Sequence, residues 1–259
     1  MSNRNISIPE QANMAEARYI LVTTDNQSQV CEVAVNYDRD GAYKQYQDIT
    51  VYHGNLQKEL TPEYGMGKPY HDYGNGFYMT VDRDLAYEWA VSLSTGENGY
   101  CHAYTLDMSG LRCLRLDSVE DILTWMAILM KHRPGTDSRR WDLIQRRFIG
   151  KYCLDVDTFD VIIGYRANDS YLAIAKQFAR GEIGVNILGR LLRLGSFGTQ
   201  VCIKSRLAYT HLNYMDLYEV DYEHFHTQFV KRDGESRRRM RELVNSPDND
   251  LSQSIETII

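Results

Sequence analysis

Residues 70–90 place a glycine-rich turn directly before a short strand, Phe77–Thr80, that runs into a helix. Glycine permits positive φ and lets a backbone approach a ligand closely, and Gly74 and Gly76 stand in front of this strand. The aromatic residues in or beside the turn are Tyr70, Tyr73, Phe77 and Tyr78. Their rings could hold a flat, electron-poor ligand by stacking. Taken alone, the segment is equally consistent with a hairpin turn and a helix with ordinary core aromatics.

The composition is that of a soluble globular protein. The chain has 259 residues, of which 43% are hydrophobic and 25% are charged. A net charge of −6 argues against coating nucleic acid through bulk charge, but it leaves room for a local basic groove. The five cysteines contain no Cys-x-x-Cys pair, which favours buried thiols in a reducing compartment over a disulfide framework or a zinc site. No apolar run approaches the roughly 20 residues that cross a bilayer, and residues 1–7 lack the apolar core of a signal peptide. We therefore expect a cytoplasmic protein without a metal and without membrane contact.

The hydrophobic patterns predict an α+β fold in which helices are inserted between strands. We expect one domain over residues 1–259, with a core at about 16–230, N-terminal strands within 18–37 and a disordered tail at 247–259. A helical insert is predicted at about 118–150, because apolar residues recur there at helical spacing. Further strands are predicted at 48–53, 77–80, 100–106, 111–116, 159–164, 199–204 and 213–222.

Three separated segments could build one site: Tyr52-His53-Gly54 at a strand end, the strand with Tyr78, and Gln200 early in a later strand. Each also has an ordinary structural interpretation. A single histidine at a strand end is usually structural or solvated, a strand tyrosine usually belongs to the core, and a strand glutamine is usually exposed.

Together and in this order, the segments resemble the motifs of the ADP-ribosyltransferase superfamily, on the branch with a His-Tyr-Glu triad that includes diphtheria toxin and the poly(ADP-ribose) polymerases. Residues 51–54 resemble its first motif, residues 73–80 its second, and residues 84–90 the helix that follows. The likeness runs from about residue 49 to 215. It is closest to a family of small bacterial and phage ADP-ribosyltransferase-like proteins first catalogued as a domain of unknown function, which residues 159–169 also resemble.

The resemblance implies a split mixed β-sheet whose cleft binds NAD as a co-substrate. His53 would hydrogen-bond a ribose hydroxyl, the Gly54 backbone would hold the nicotinamide carboxamide, and Tyr78 would stack on the nicotinamide ring. The catalytic residues implied are His53, Tyr78 and Gln200. The NAD-binding residues implied are Gly54, Asn55, Gly76, Phe77, Thr80 and Trp89, the last near the other face of the nicotinamide.

Gln200 departs from the superfamily pattern, which has a glutamate at this position. A glutamine keeps a hydrogen bond to the ribose but loses the negative charge that stabilises an oxocarbenium-like transition state, and such a loss typically costs about 10²–10³ in rate. Arg166 and Asp169 are candidates for the acceptor side of the site. Arg166 could meet a nucleic-acid acceptor or the NAD pyrophosphate. Asp169 could orient an incoming nucleophile or act as its base, and it is at least equally consistent with an ordinary Asx turn.

We expect a mono-ADP-ribosyltransferase of the toxin or phage-defence type that modifies a protein or a nucleic acid, and an antitoxin is a candidate partner. The alternative is a weak or inactive module that binds NAD, ADP-ribose or nucleic acid. A third hypothesis is an interaction scaffold.

Overall fold

The computed structural model describes residues 16–24, 27–35, 48–118, 121–133, 139–167, 169–193 and 198–259. Within these ranges only the backbone is described at 16–24, 27–35, 139–142, 169–171 and 192–193.

The main sheet of the described chain has seven strands in the order β6-β7-β8-β4-β3-β5-β9. Its strands are β3 (Ile49–Asn55), β4 (Phe77–Thr80), β5 (Gly99–Leu106), β6 (Cys113–Leu116), β7 (Val161–Tyr165), β8 (Thr199–Ile203) and β9 (Leu212–Val220). Only β6 and β7 run parallel; the other neighbours are antiparallel. The predicted N-terminal strands are β1 (Glu16–Thr24) and β2 (Gln27–Val35), which form an antiparallel pair of their own.

Eight α-helices lie in the described ranges: α1 (Arg83–Val91), α2 (Ile122–His132), α3 (Arg139–Tyr152), α4 (Asp169–Ala179), α5 (Val185–Arg193), α6 (Arg206–Thr210), α7 (Tyr222–Val244) and α8 (Ile255–Ile258). The helix predicted after Phe77–Thr80 is α1, and it begins after Asp82, whose carboxylate accepts from the backbone N–H groups of Asp84 and Leu85. The predicted helical insert is α2 and α3. The α+β fold class is therefore confirmed, and every helix in the described ranges is too short or too polar to span a lipid bilayer.

Both faces of the sheet are covered. One face packs against the helical layer, where Trp125 on α2 is fully buried with Phe148 on α3 and Phe178 on α4. The other face buries a second cluster that includes Val51, Met79 and Tyr104. Because β7, β8 and β4 are buried on both faces, their sequences are nearly continuous apolar runs rather than alternating ones.

The prediction of a disordered tail at 247–259 is wrong. These residues contain a 3₁₀ turn, Leu251–Gln253, and helix α8. Ile255 is 0% exposed, and the Tyr152 hydroxyl donates to the Ile258 carbonyl at 2.7 Å. The polar composition of the segment concealed these contacts, because one buried isoleucine leaves no periodic signal in the sequence.

We predict that Ile255→Ala lowers the free energy of unfolding by about 2–4 kcal/mol, because it leaves a cavity in the core. Leu251→Ala is the matched control, since Leu251 lies in the same segment but is 50% exposed, and it should change stability by less than about 0.5 kcal/mol. Both values can be measured by urea denaturation. Equal effects of the two substitutions would show that the tail does not pack as described.

Candidate active site

The main sheet is nearly divided between β3 and β4, which share a single register pair, Tyr52 with Thr80. On its other side β4 is paired along its whole length with β8, and Thr80 lies opposite Gln200. One residue after Tyr52, the ring Nδ1 of His53 donates to the Tyr78 carbonyl at 2.7 Å. A side-chain hydrogen bond thus replaces the one that a backbone N–H of β3 would donate to this carbonyl if the ladder were continuous.

A cavity of about 430 Å³ opens at this division, within the range typical of small-molecule sites. Its walls come from β3, the 71–78 turn and strand, the end of α1, the end of α2, the segment after β7, β8 and α7. The residues that line it are His53, Gly54, His71, Asp72, Tyr78, Trp89, Ser92, Leu93, Arg133, Arg166, Ala167, Gln200, Phe229, Asp233 and Arg237. Side chains from all three predicted segments therefore meet in one space.

His53 presents a neutral imidazole to this cavity. A carbonyl oxygen can only accept, so the bond to the Tyr78 carbonyl places the proton on Nδ1 and leaves Nε2 as an acceptor. Burial lowers the pKa of His53 from 6.5 to about 4, although the bond to the Tyr78 carbonyl opposes the shift. Near neutral pH, Nε2 can therefore accept a hydrogen bond from a hydroxyl group.

The lowered pKa of His53 predicts a pH-dependent stability. Between pH 6.5 and about 4 the unfolded chain binds a proton at His53 that the folded chain does not, so stability falls as the pH is lowered through this window. At roughly 1.4 kcal/mol per pH unit, His53 alone should remove about 2 kcal/mol between about pH 7 and pH 5.

Burial also lowers the pKa values of His71 and His132, so the wild-type chain must be compared with His53→Asn in denaturation curves at each pH. The variant should lose less stability on acidification than the wild type. Parallel curves would contradict the assignment of a neutral, buried His53.

Tyr78 is fixed by its own turn. Its hydroxyl donates to the Gly74 carbonyl at 2.6 Å and accepts from the Tyr73 N–H at 3.0 Å. Its ring lies parallel to that of Tyr73, with centroids 6.3 Å apart. Burial raises the pKa of the Tyr78 phenol, so the group is not suited to proton transfer near neutral pH. What it offers the cavity is a rigid aromatic ring.

Trp89 on α1 and Arg166 after β7 form a stacked pair in the wall. The Arg166 guanidinium lies 4.4 Å from the centre of the Trp89 ring. Its Nη1 and the Trp89 Nε1 are buried and have no hydrogen-bond partner among the described residues. Burial lowers the pKa of Arg166 to about 10, so the side chain keeps its charge at neutral pH. A buried guanidinium with an unused donor is suited to an anion.

Gln200 is 3% exposed and reaches the cavity between β7 and β4. Its Nε2 donates to the Asp72 carboxylate at 2.9 Å. Asp72 is 4% exposed, accepts from the Ala167 N–H at 2.8 Å and lies 3.0 Å from the Arg133 Nε. Burial raises the pKa of Asp72, and the charge of Arg133 is the strongest opposing influence.

Four of the predicted NAD-binding residues do not line this cavity. Gly76 packs against β8, where an added Cβ would lie 2.4 Å from the Cys202 Sγ. Phe77 packs with the cluster on the other face of the sheet. The Thr80 hydroxyl donates to the Thr199 carbonyl, and the Asn55 side chain accepts from the Gln57 N–H. In this structure their contacts are structural.

The two residues predicted for the acceptor side lie in different places. Arg166 lines the cavity, whereas Asp169 begins helix α4 and its side chain lies outside the described residues. No group of three His, Cys, Asp or Glu side chains in the described chain could hold a metal ion.

Sequence reasoning missed Asp72, Arg133 and the contribution of α7. An aspartate beside a glycine turn reads as a turn former, and Arg133 ends a helix that is otherwise apolar. Residues from α7 come from the far end of the chain, and the Arg232–Glu88 ion pair holds that helix against α1. Only the closeness of Asp72 to Gly74 could have drawn attention to it.

The fold and the cavity define a protein with one mixed sheet and a ligand-sized space where that sheet is nearly divided. The chain matches the family described as "Protein of unknown function (DUF3990)" over residues 49–214, and it belongs to that family. The match begins with β3 and ends in β9, so it includes the three predicted segments. No curated protein and no solved structure matches the chain.

Proposed function

We propose that the chain is an NAD-dependent mono-ADP-ribosyltransferase that transfers ADP-ribose to a macromolecular acceptor. The observation that carries the proposal is the meeting of His53, Tyr78 and Gln200 in one cavity of about 430 Å³. These residues lie far apart in the sequence, in the order that resembles the motifs of the ADP-ribosyltransferase superfamily.

Each part of NAD finds a suitable group in the cavity. The cationic nicotinamide ring stacks on an aromatic side chain, for which Tyr78 is the candidate, and such a contact contributes about 0.5–2 kcal/mol. The neutral Nε2 of His53 accepts from a ribose hydroxyl. The unused Nη1 of Arg166 donates to the pyrophosphate, which a planar guanidinium binds well.

In the proposed reaction the bond between the ribose C1′ and the nicotinamide nitrogen breaks, and its electron pair stays on the nitrogen, so that neutral nicotinamide leaves. A lone pair of the acceptor then forms the new bond to C1′, and the acceptor releases a proton to water. Gln200 hydrogen-bonds a ribose hydroxyl as positive charge develops on the sugar.

The acceptor class proposed is a protein or a nucleic acid, and a toxin or phage-defence role with an inhibitor protein fits such an activity. We place the protein in the cytoplasm, where NAD is available. The four cysteines with described side chains, Cys101, Cys113, Cys153 and Cys202, are unbridged, which suits a reducing compartment.

The experiment is to incubate the protein with NAD labelled in the nicotinamide ring and to measure release of free nicotinamide. Tyr78→Leu, which removes the ring, should reduce release about tenfold or more. Tyr78→Phe is the matched control, because it keeps the ring and removes only the hydroxyl bonds within the turn. Equal release from wild type and Tyr78→Leu would overturn the proposed role of this ring.

A binding module that holds NAD or ADP-ribose without transfer is the second candidate. It is favoured by one observation, the glutamine at position 200, whose amide already bonds Asp72. Calorimetry that detects NAD binding, together with no nicotinamide release in the presence of protein, RNA and DNA acceptors, would establish this alternative. Absence of binding to both NAD and ADP-ribose would contradict both candidates.

A further inference from the structure

The carboxylate of Asp72 lies directly behind Gln200 in the wall of the cavity. Its Oδ2 accepts from the Ala167 N–H at 2.8 Å and from the Gln200 Nε2 at 2.9 Å. Asp72 is 4% exposed, so these bonds form away from bulk water, where a hydrogen bond to a charged group is strong.

These contacts fix the orientation of the Gln200 amide. The second neighbour of its Nε2 is the Tyr165 carbonyl at 3.5 Å. A carboxylate and a carbonyl only accept, so the amide nitrogen must face both, and the amide oxygen Oε1 must face the other way. The Tyr73 hydroxyl also lies beside this amide, but it donates its proton to the Tyr165 carbonyl at 2.7 Å. No donor in the described part of the chain therefore bonds Oε1, which is free to accept from a ligand. If the amide turned over, its oxygen would meet two acceptors.

Asp72 also sets the charge beside Gln200. The residues lining the cavity include three arginines, Arg133, Arg166 and Arg237, and two aspartates, Asp72 and Asp233. Asp233 pairs with Arg237 on α7 at 2.7 Å. The carboxylate that hydrogen-bonds Gln200 is that of Asp72, which also forms an ion pair with Arg133.

The second oxygen of Asp72 is ion-paired with Arg133 but accepts no hydrogen bond among the described residues. Its Oδ1 is buried and accepts no hydrogen bond among the described residues, although the Arg133 Nε lies 3.0 Å away, because that N–H does not point at it. A buried carboxylate oxygen without a donor is costly, and such groups in folded proteins call for a functional explanation.

We infer that Asp72 is a positioning residue that acts through Gln200. It holds the amide so that Oε1 faces the ribose, and it supplies, one hydrogen bond behind the amide, the negative charge that a glutamate supplies in the superfamily pattern. This inference rests on the proposed function.

The inference predicts that Gln200→Glu does not improve the enzyme. The new carboxylate would stand at the hydrogen-bonding distance that now separates Gln200 Nε2 from Asp72, where two negative charges repel and share one proton. Nicotinamide release at about pH 8 should be lower than in wild type and should rise toward about pH 5, as one of the pair takes up a proton.

The test compares kcat and KM for nicotinamide release in Asp72→Asn, Gln200→Ala and the double variant, with thermal melting as the check on folding. Asp72→Asn should lower kcat about 10²-fold with little change in KM. In the Gln200→Ala background the same substitution should change kcat by no more than about twofold, because its effect passes through Gln200. Asp160→Asn is the matched control, since Asp160 also accepts from a backbone N–H, that of Arg112, but lies outside the cavity.

The outcomes separate the inference from the proposed function. Wild-type kcat in Asp72→Asn, or losses that multiply in the double variant, would overturn the inference and leave the proposed function standing. A wild-type protein that neither binds NAD nor releases nicotinamide would overturn both. If Asp72→Asn does not fold, Gln200→Glu decides, because a rate above wild type at about pH 8 contradicts a carboxylate already placed behind position 200.

Discussion

His53→Ala is expected to lower nicotinamide release by about 10²–10³-fold, since loss of one preorganised hydrogen-bonding group in an active site has effects of this size. The substitution removes the neutral Nε2 that accepts from the ribose. It also removes the Nδ1–H bond to the Tyr78 carbonyl, which joins β3 to β4 beside their single register pair. The measurement is the initial rate of nicotinamide release at saturating NAD.

His211→Ala is the matched control for this loss. Its Nδ1 also lies 3.0 Å from a backbone carbonyl, that of Asp107, but the residue does not line the cavity. Its rate should stay within about twofold of wild type. If both histidine variants keep the wild-type rate, His53 has no part in the reaction.

Gly54→Ala is expected to destabilise the protein by about 3 kcal/mol or more, which is the upper end of the cost of overpacking a core. A Cβ at Gly54 would lie 1.8 Å from the Ala86 carbonyl oxygen and 2.7 Å from the Ala90 nitrogen. Both are backbone atoms of α1, so the helix itself must move. Since α1 carries Trp89 into the cavity, NAD binding should weaken together with stability.

Gly150→Ala is the control for this prediction. Gly150 lies in α3, and an added Cβ there would meet no atom within 4 Å. Alanine in an exposed helix position stabilises by up to about 1 kcal/mol relative to glycine. Chemical denaturation of the two variants should therefore give shifts of opposite sign. A Gly54→Ala protein with wild-type stability would show that α1 does not pack so closely on β3.

The sequence was sufficient to predict the strands, the inserted helices and the three segments that meet in the cavity. Apolar runs and turn residues are local signals, and they locate β4, α1 and β8 closely. The backbone of Gly54 was predicted to contact the ligand. Gly54 does line the cavity, but the demand for glycine comes from the backbone of α1.

What the sequence did not reveal depends on tertiary contacts. The hydrogen bond between Asp72 and Gln200 joins a residue in the turn before β4 to a residue on β8. No local sequence pattern indicates that these two residues are in contact. The contribution of α7 to the cavity follows from the ion pair between Arg232 and Glu88. Its charged sequence reads simply as a solvated helix.

The near-division of the sheet at Tyr52 and Thr80 has a mechanical consequence. Strands β6, β7, β8 and β4 form one hydrogen-bonded block, and β3, β5 and β9 form another. Between the blocks the sheet has one register pair and the His53 ring bond, so this seam has fewer register pairs than any other strand boundary of the main sheet. Amide exchange along β3 and β4 at the seam should therefore be faster than within either block. A ligand that contacts both His53 and Gln200 would therefore link the two blocks of the sheet.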